Sequence, residues 1–289
     1  MPDIQMRFHQ DMLVLSSPLT ATLYEQGVDE DYSAALLCVD EPETVLETMR
    51  MQAAMGVPCL VTPTEHITRA RLAHSRLSDK SHDVAQAAVS VVRRLKPQHI
   101  IAQIGPTGLP LDPTSKTSLV ANRNQYADAA AAFSRDSVDA VLVGPFTTCD
   151  DLLCALMGVR KTWDGPVFAT VCVNGEGLVQ DKPLEDALAI MAEYEADVAG
   201  FQTSASVDVA AALTERACQS TELPLLVQLE VQPGAFDVLE NPYADADALV
   251  SGALRLRTCG AQFLQATGAA MARHAGALLA ATMGLDAIR

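Results

Sequence analysis

Short apolar runs recur along this chain, and a stretch with helical spacing follows each of them. The runs occupy residues 12–17, 58–64, 99–106, 140–146, 166–173, 198–204, 224–231 and 261–268. They are rich in Val, Ile and Leu and show little strict polar alternation, which suits strands buried on both faces of a parallel sheet. Eight strand–helix units predict an α/β chain closed into a single (β/α)8 TIM barrel over residues 1–289. Such a barrel carries its chemistry at the C-terminal ends of the strands and in the loops that follow them.

The intervening stretches repeat apolar residues at helical period. Val84, Ala87, Ala88, Val91, Val92 and Leu95 form one stripe, with Ser81 and Asp83 as cap chemistry and Pro97 as the stop. Further helices are expected over 127–133, 152–159, 184–192, 207–217, 246–256 and 271–283. Asp186, Asp208 and Asp245 fall where a negative charge suits a helix N-terminus. The first unit is less regular. Residues 42–54 read as a helix, residues 34–39 as an extra strand or a loop on the barrel floor, and residues 1–10 as an element closing the bottom.

Composition narrows the partners. The net charge of −16 opposes nucleic acid and anionic membrane. Aromatics at 4% give little stacking surface for single strands. No apolar run reaches the roughly 18 residues that span a bilayer. The opening Met1-Pro-Asp-Ile-Gln-Met-Arg7 lacks the basic-then-apolar pattern of a signal peptide, so a cytoplasmic location is expected. Seven irregularly spaced cysteines, mostly in apolar runs, read as reduced thiols rather than a disulfide framework. Oligomeric state is not legible.

The predicted strand ends deliver Ser16, Ser17, Thr62, Thr64, Gln103, Gly144, Cys172, Asn174, Gln202, Thr203, Gln228, Glu230, Gln265 and Thr267 to the mouth. Most are neutral hydrogen-bonding groups. Glu230 is the one carboxylate squarely among them and the candidate catalytic group, because a carboxylate in an apolar strand needs a partner or a task. A salt bridge at the rim is the alternative. Glu65, His66, Asp150 and Asp151 follow nearby strands. Three converging ligands for a metal are not evident, and Cys172 also reads as a small buried hydrophobe. Gly105, within Ile104-Gly-Pro-Thr-Gly108, marks a tight turn or a close approach to a ligand. No Gly-Lys-Ser/Thr follows to make a phosphate loop. Asn174-Gly-Glu-Gly177 and Gly234 read as turns first.

These residues also resemble a family. Leu15-Ser-Ser-Pro-Leu-Thr20-Ala-Thr-Leu23 with Gly27 is similar to the opening Leu-Asp-Gly-Ala-Met-Gly-Thr-x-Leu…Gly of the homocysteine S-methyltransferases. That family includes the homocysteine-binding barrel of cobalamin-dependent methionine synthase and the betaine and S-methylmethionine enzymes. Gly56-Val-Pro-Cys-Leu-Val-Thr62-Pro-Thr64 resembles its Gly-Ala-Asp…Thr-Asn-Thr, and Gly105-Pro-Thr-Gly108 its Gly-Pro-Thr/Tyr-Gly. Tyr126 with 138–143, and Cys259-Gly-Ala-Gln-Phe-Leu264 with His274, resemble later stretches. The resemblance covers roughly residues 12–283 and implies a barrel and a methyl transfer, with a corrinoid protein as a candidate partner.

The resemblance also implies zinc on three cysteines, from Gly-x-Asn-Cys after the sixth strand and Gly-Gly-Cys-Cys-Gly-Thr after the eighth. Here those stretches read Gly200-Phe-Gln-Thr203 and Gln265-Ala-Thr-Gly-Ala-Ala270, so all three thiols are absent. The opening Asp is Ser16, and the Glu-Thr pair after the fourth strand is Gly144-Pro145. Threonine and glycine do not replace thiolates on zinc. The sequence therefore points to a zinc-independent relative that moves a methyl group between a small methylated donor and a thiol or corrinoid acceptor. Two alternatives stay open: a non-catalytic barrel that binds a ligand or a partner protein, and unrelated barrel chemistry with Glu230 as base.

Overall fold

The computed structural model describes residues 3–29, 33–233 and 241–289. The turn expected at Gly234 lies outside them. Eight parallel strands form the barrel: β1 (Leu13–Val14), β2 (Cys59–Val61), β3 (His99–Ile104), β4 (Ala140–Phe146), β5 (Val167–Cys172), β6 (Val198–Thr203), β7 (Leu225–Val231) and β8 (Ala261–Gly268). Each pairs with its neighbour in sequence from β2 onward, and β8 pairs back to β1. The ring closes between β1 and β2 with less material. Leu15 bridges Cys59, the Ser16 amide donates to the Cys59 carbonyl at 2.9 Å, and the Val61 amide donates to the Ser16 hydroxyl at 2.9 Å.

Eight helices surround the strands: α1 (Pro42–Ala54), α2 (Ser81–Arg94), α3 (Lys116–Ala130), α4 (Cys149–Val159), α5 (Leu184–Glu193), α6 (Val207–Ser220), α7 (Ala246–Thr258) and α8 (Ala272–Thr282). Side chains of Ser115, Thr148, Ser206 and Asp245 cap α3, α4, α6 and α7 by accepting from first-turn amides. Most apolar side chains fill the layer between strands and helices, and a second, smaller core fills the barrel. At the bottom, Ile4 from a short 3-10 turn (Ile4–Arg7) is fully buried, and Phe8 packs edge-on against Phe168 and Phe263. Asp139 and Asp197 do matching jobs at the strand starts, accepting the Ile100 and Val167 amides at 2.7 and 2.9 Å.

Three expectations need correction. Residues 34–39 are neither strand nor loop but a helix, Ala34–Asp40, N-capped by Ser33. The helix expected at 127–133 is the tail of α3, whose first half buries Asn122 and so shows no apolar stripe. Ser81 lies inside α2, whose N-cap is Lys80 with no side-chain cap bond. The seven cysteines are all free, with Cys38, Cys59, Cys149 and Cys154 buried. Among the described residues no helix is long and apolar enough to cross a membrane.

His274 supplies one pH handle. It is buried in the first turn of α8, and its Nδ1 accepts the Met271 amide at 2.8 Å, which requires the neutral ring. Burial and then the neighbouring Arg273 charge hold its pKa below the ordinary 6.5. The unfolded chain therefore binds the proton more readily. The residue's contribution is complete above 6.5 and is lost as pH falls through the depressed value. Denaturant melts at about pH 7 and about pH 5 are expected to differ less in H274Q than in the wild type. Equal differences would show that His274 does not titrate with folding.

Candidate functional site

Alternation along each strand decides which side chains enter the mouth. Phe168, Val198, Leu226 and Phe263 face the barrel interior. Residues two and four positions further along share that face. Cys172, Gln202, Gln228 and Gln265 therefore point inward, and they are register partners in that order across β5 to β8. Glu230 and Thr267, also partners, stand one step higher. Thr170 stands one step lower, opposite Gly200, where a β-carbon would lie 2.9 Å from the Thr170 methyl.

A hydrogen-bonded relay runs through this layer. The Gln228 Nε2 donates to Gln265 Oε1 at 2.7 Å, and Gln265 Nε2 donates to the Ser16 carbonyl at 2.7 Å. Among the buried polar atoms without a hydrogen-bond partner in the described residues, four stand at this end of the barrel: Ser17 Oγ, Thr170 Oγ1, Gln228 Oε1 and Thr267 Oγ1. Buried polar groups ordinarily have partners, and Thr170, Gln228 and Thr267 share the inward face of their strands, so the upper barrel is suited to receive a polar guest.

Two openings lie at this end of the barrel. One, of about 510 Å³, is lined by Thr148, Cys172, Asn174, Gln202, Thr203 and Glu230, among others. A tighter one, of about 50 Å³, lies between Ser16, Ser17, Glu65, His66, Gln103 and Gln265. Glu230 has no ion-pair or hydrogen-bond partner among the described residues, so the rim salt bridge considered from sequence does not form. Cys172 is partly buried. Its pKa is pushed up to about 11, first by burial and then by the charges of Glu230 and Glu65. Both carboxylate charges disfavour the thiolate.

Several predicted site residues turn out to hold the scaffold. The Ser16 hydroxyl serves the β1–β2 seam. Thr62 and Thr64 are 2.6 Å apart, Thr64 donates to the Gln103 carbonyl at 2.7 Å, and Thr62 accepts the Gln103 amide at 3.2 Å. Asn174 is exposed and accepts the Glu176 and Leu178 amides at 3.0 and 2.9 Å, organising the turn into a small hairpin (Leu178–Val179 with Lys182–Pro183). Thr203 accepts the Ala205 amide at 3.2 Å. The Gly105 amide donates to the Glu65 carbonyl at 2.8 Å, and a β-carbon at Gly105 would lie 2.5 Å from Glu65 Cγ. Glycine is required there by close approach of the chain that carries Glu65.

Sequence reasoning missed three supporting residues. Gln52 on α1 clamps the Ser17 backbone from both sides, at 2.7 and 3.0 Å. Thr170 belongs to the inner face, a placement its spacing from Cys172 would have given. Tyr126 accepts the Thr107 amide at 3.2 Å and donates to Asp151 at 2.6 Å, anchoring the loop after β3 to α4. Asp151 is therefore engaged behind the strands and is not a mouth residue. Burial raises its pKa, with the Tyr126 bond acting against that.

The family's zinc can be tested against this donor set. Thr203 and Thr267 offer neutral hydroxyls, and Gly268 offers no side chain. Gly268 has φ +64°, and a β-carbon there would lie 2.6 Å from the Val231 carbonyl oxygen. The Ala269 amide donates to that same oxygen at 2.8 Å, so the backbone closes the position. Among the described residues no three His, Cys, Asp or Glu side chains are grouped to hold a metal ion. These residues do not fit a zinc site.

The metallated homocysteine methyltransferase MmuM from Escherichia coli superposes with a TM-score of 0.78 at 17% identity, covering 94% of this chain and 96% of that one. Its oxidised form gives 0.77 at 17% identity over the same shares. The carboxyl transferase domain of Rhizobium etli pyruvate carboxylase with pyruvate gives 0.55 at 11% identity, covering 92% of this chain and 41% of that one. At these identities the superpositions speak for the fold. No functionally curated protein matches the chain. The sequence profile of the homocysteine S-methyltransferases matches residues 13–254, and the chain belongs to the homocysteine S-methyltransferase family.

Proposed function

We propose that this protein is a zinc-independent methyltransferase that moves a methyl group between a small methylated donor and a thiol or corrinoid acceptor. Family membership and the barrel support a methyltransferase function. The finer reading rests on one observation: hydroxyls and a closed backbone position stand where the resemblance places zinc thiolates. A free thiol near its ordinary pKa of roughly 8.5 is only a few per cent ionised at neutral pH. Without a metal, a thiol acceptor must lose its proton to a side chain at the mouth, and Glu230 is an unpaired carboxylate there. A reduced corrinoid on a partner protein would need no such help.

In this reading Glu230 is the catalytic group. Ser17, Gln103, Cys172, Gln202, Gln228, Gln265 and Thr267 bind and orient the small molecule. Ser16, Thr62, Thr64, Gly105, Asn174 and Thr203 shape the walls. Holding donor and acceptor in line supplies much of the acceleration in such a transfer. The outer surface, with its net charge of −16, offers nothing to nucleic acid or anionic membrane.

The test has two arms. Metal analysis of protein purified without chelators is expected to find no stoichiometric zinc, and one tightly held zinc per chain would refute metal independence. Methyl transfer is then assayed with methylated amines, ethers and sulfonium donors, against homocysteine and a reduced corrinoid protein. Turnover with at least one pair is expected. Ligand-induced thermal stabilisation with no turnover in any pair would favour a ligand-binding barrel instead. Joint replacement of the metal thiols, the opening Asp and the Glu-Thr pair is the observation behind that second reading.

A further inference from the structure

The glutamine relay has a direction. A backbone carbonyl can only accept, so the Ser16 carbonyl fixes which end of Gln265 faces it: the amide nitrogen, at 2.7 Å. Gln265 Oε1 must then accept, and it does so from Gln228 Nε2 at 2.7 Å. What remains at the end of the relay is Gln228 Oε1, on a side chain 1% exposed, without a partner among the described residues. This orphan is therefore an acceptor by construction. Just above it stand the unpaired Glu230 carboxylate and its register partner Thr267, 6% exposed, whose hydroxyl is likewise unpartnered.

The charges agree with the hydrogen bonds. No Lys or Arg lines either opening, and His66 is the single basic side chain, on the Glu65 side. Residues 1–2, 30–32 and 234–240 contain no Lys, Arg or His. A guest carboxylate at the Glu230 side would meet the Glu230 charge with no cation to offset it, and Glu65 lines the neighbouring opening. The helix that begins at this edge, α4, already carries Asp150 in its first turn, which opposes an anion there. Quaternary ammonium groups are usually held by aromatic faces. Among the described residues no Phe, Tyr or Trp lines either opening, with Tyr32 and Phe236 lying outside those residues.

We propose that the Glu230 side of the mouth binds a small alkylammonium that keeps N–H bonds and has no carboxylate of its own. Its N–H groups point at the Glu230 carboxylate and at Gln228 Oε1, and Thr267 supplies a third contact. This rests on the mouth being the substrate site of the methyltransferase proposed above, and it names the substrate class for that site.

Calorimetric titration of the full chain tests it with four probes: methylammonium, dimethylammonium, tetramethylammonium and glycine betaine. The two N–H-bearing cations are expected to bind at least about tenfold more tightly than the other two. E230Q is expected to weaken dimethylammonium about tenfold or more. Glu193→Gln, an exposed acid at the end of α5, is expected to leave it unchanged and so controls for the overall charge. Equal or tighter binding of tetramethylammonium or betaine overturns the proposal. So does unaltered binding in E230Q, and so does failure of both N–H-bearing cations to bind. The ranking of probes on the wild type stands even if a variant does not fold. Turnover with a different donor, alongside failed ammonium binding, would sink this inference and leave the methyltransferase reading intact. Ammonium binding with no methyl transfer would do the reverse.

Discussion

Phe168→Ala is expected to cost the fold about 3–5 kcal/mol, the range for truncating a fully buried aromatic. Phe168 lies inside the barrel with its ring 4.9 Å from Phe263 and 5.9 Å from Phe8, both edge-on. These rings, with Leu142, Val198 and Leu226, fill the lower interior on which the polar layer rests. Strand backbones locked by parallel ladders on both sides cannot collapse inward, so the cavity left by alanine stays open. Denaturant titration of wild type and variant gives the difference directly. A loss under about 1 kcal/mol would mean that the lower interior is loosely filled, and the argument from inner layers would fail with it. Phe168→Leu keeps most of the volume and is expected to cost less than half as much.

Gly200→Val is expected to be comparably severe, at about 3 kcal/mol or more, with loss of soluble yield. A β-carbon at this position lies 2.4 Å from the Leu226 carbonyl oxygen and 2.9 Å from the Thr170 methyl. The first neighbour is backbone in the adjacent strand and cannot swing aside. The strain therefore falls on the ladder between β6 and β7, the pair that carries Gln202 and Gln228. Gly175→Ala is the matched control, because its nearest neighbour would be the Ala205 β-carbon at an ordinary 3.9 Å. If both variants melt with the wild type, the inner packing described here is wrong.

The barrel was legible because strands buried on both faces leave continuous apolar runs, and all eight runs are strands. Even the weak first run is β1, although only Leu13 and Val14 form ladder pairs. Helices were legible where their buried face is apolar, as in α2. They were not where the buried face is polar: α3 hides Asn122, which accepts from Thr107 at 2.8 Å. The short helix Ala34–Asp40 was misread because seven residues do not separate the two periods.

At the site, inward positions followed from strand ends, and the missing thiols followed from the motifs. Burial alone could not tell which polar groups are already spoken for. Ser16, Thr62, Thr64 and Asn174 sit where sequence placed them, yet their oxygens serve the backbone. The contact of Gly105 with Glu65 joins residues forty apart, and local patterns carry no trace of it.

Gly268 has a consequence for any attempt to install a three-thiol metal site here. Cysteines at 203 and 267 exchange one side chain for another of similar size. A cysteine at 268 must displace the Val231 carbonyl that the Ala269 amide already holds. Side-chain replacement alone thus yields a two-thiol half-site, too few donors for the three-ligand arrangement that catalytic zinc needs. A third thiol at this place would require rerouting the main chain past the last strand, which no point substitution supplies.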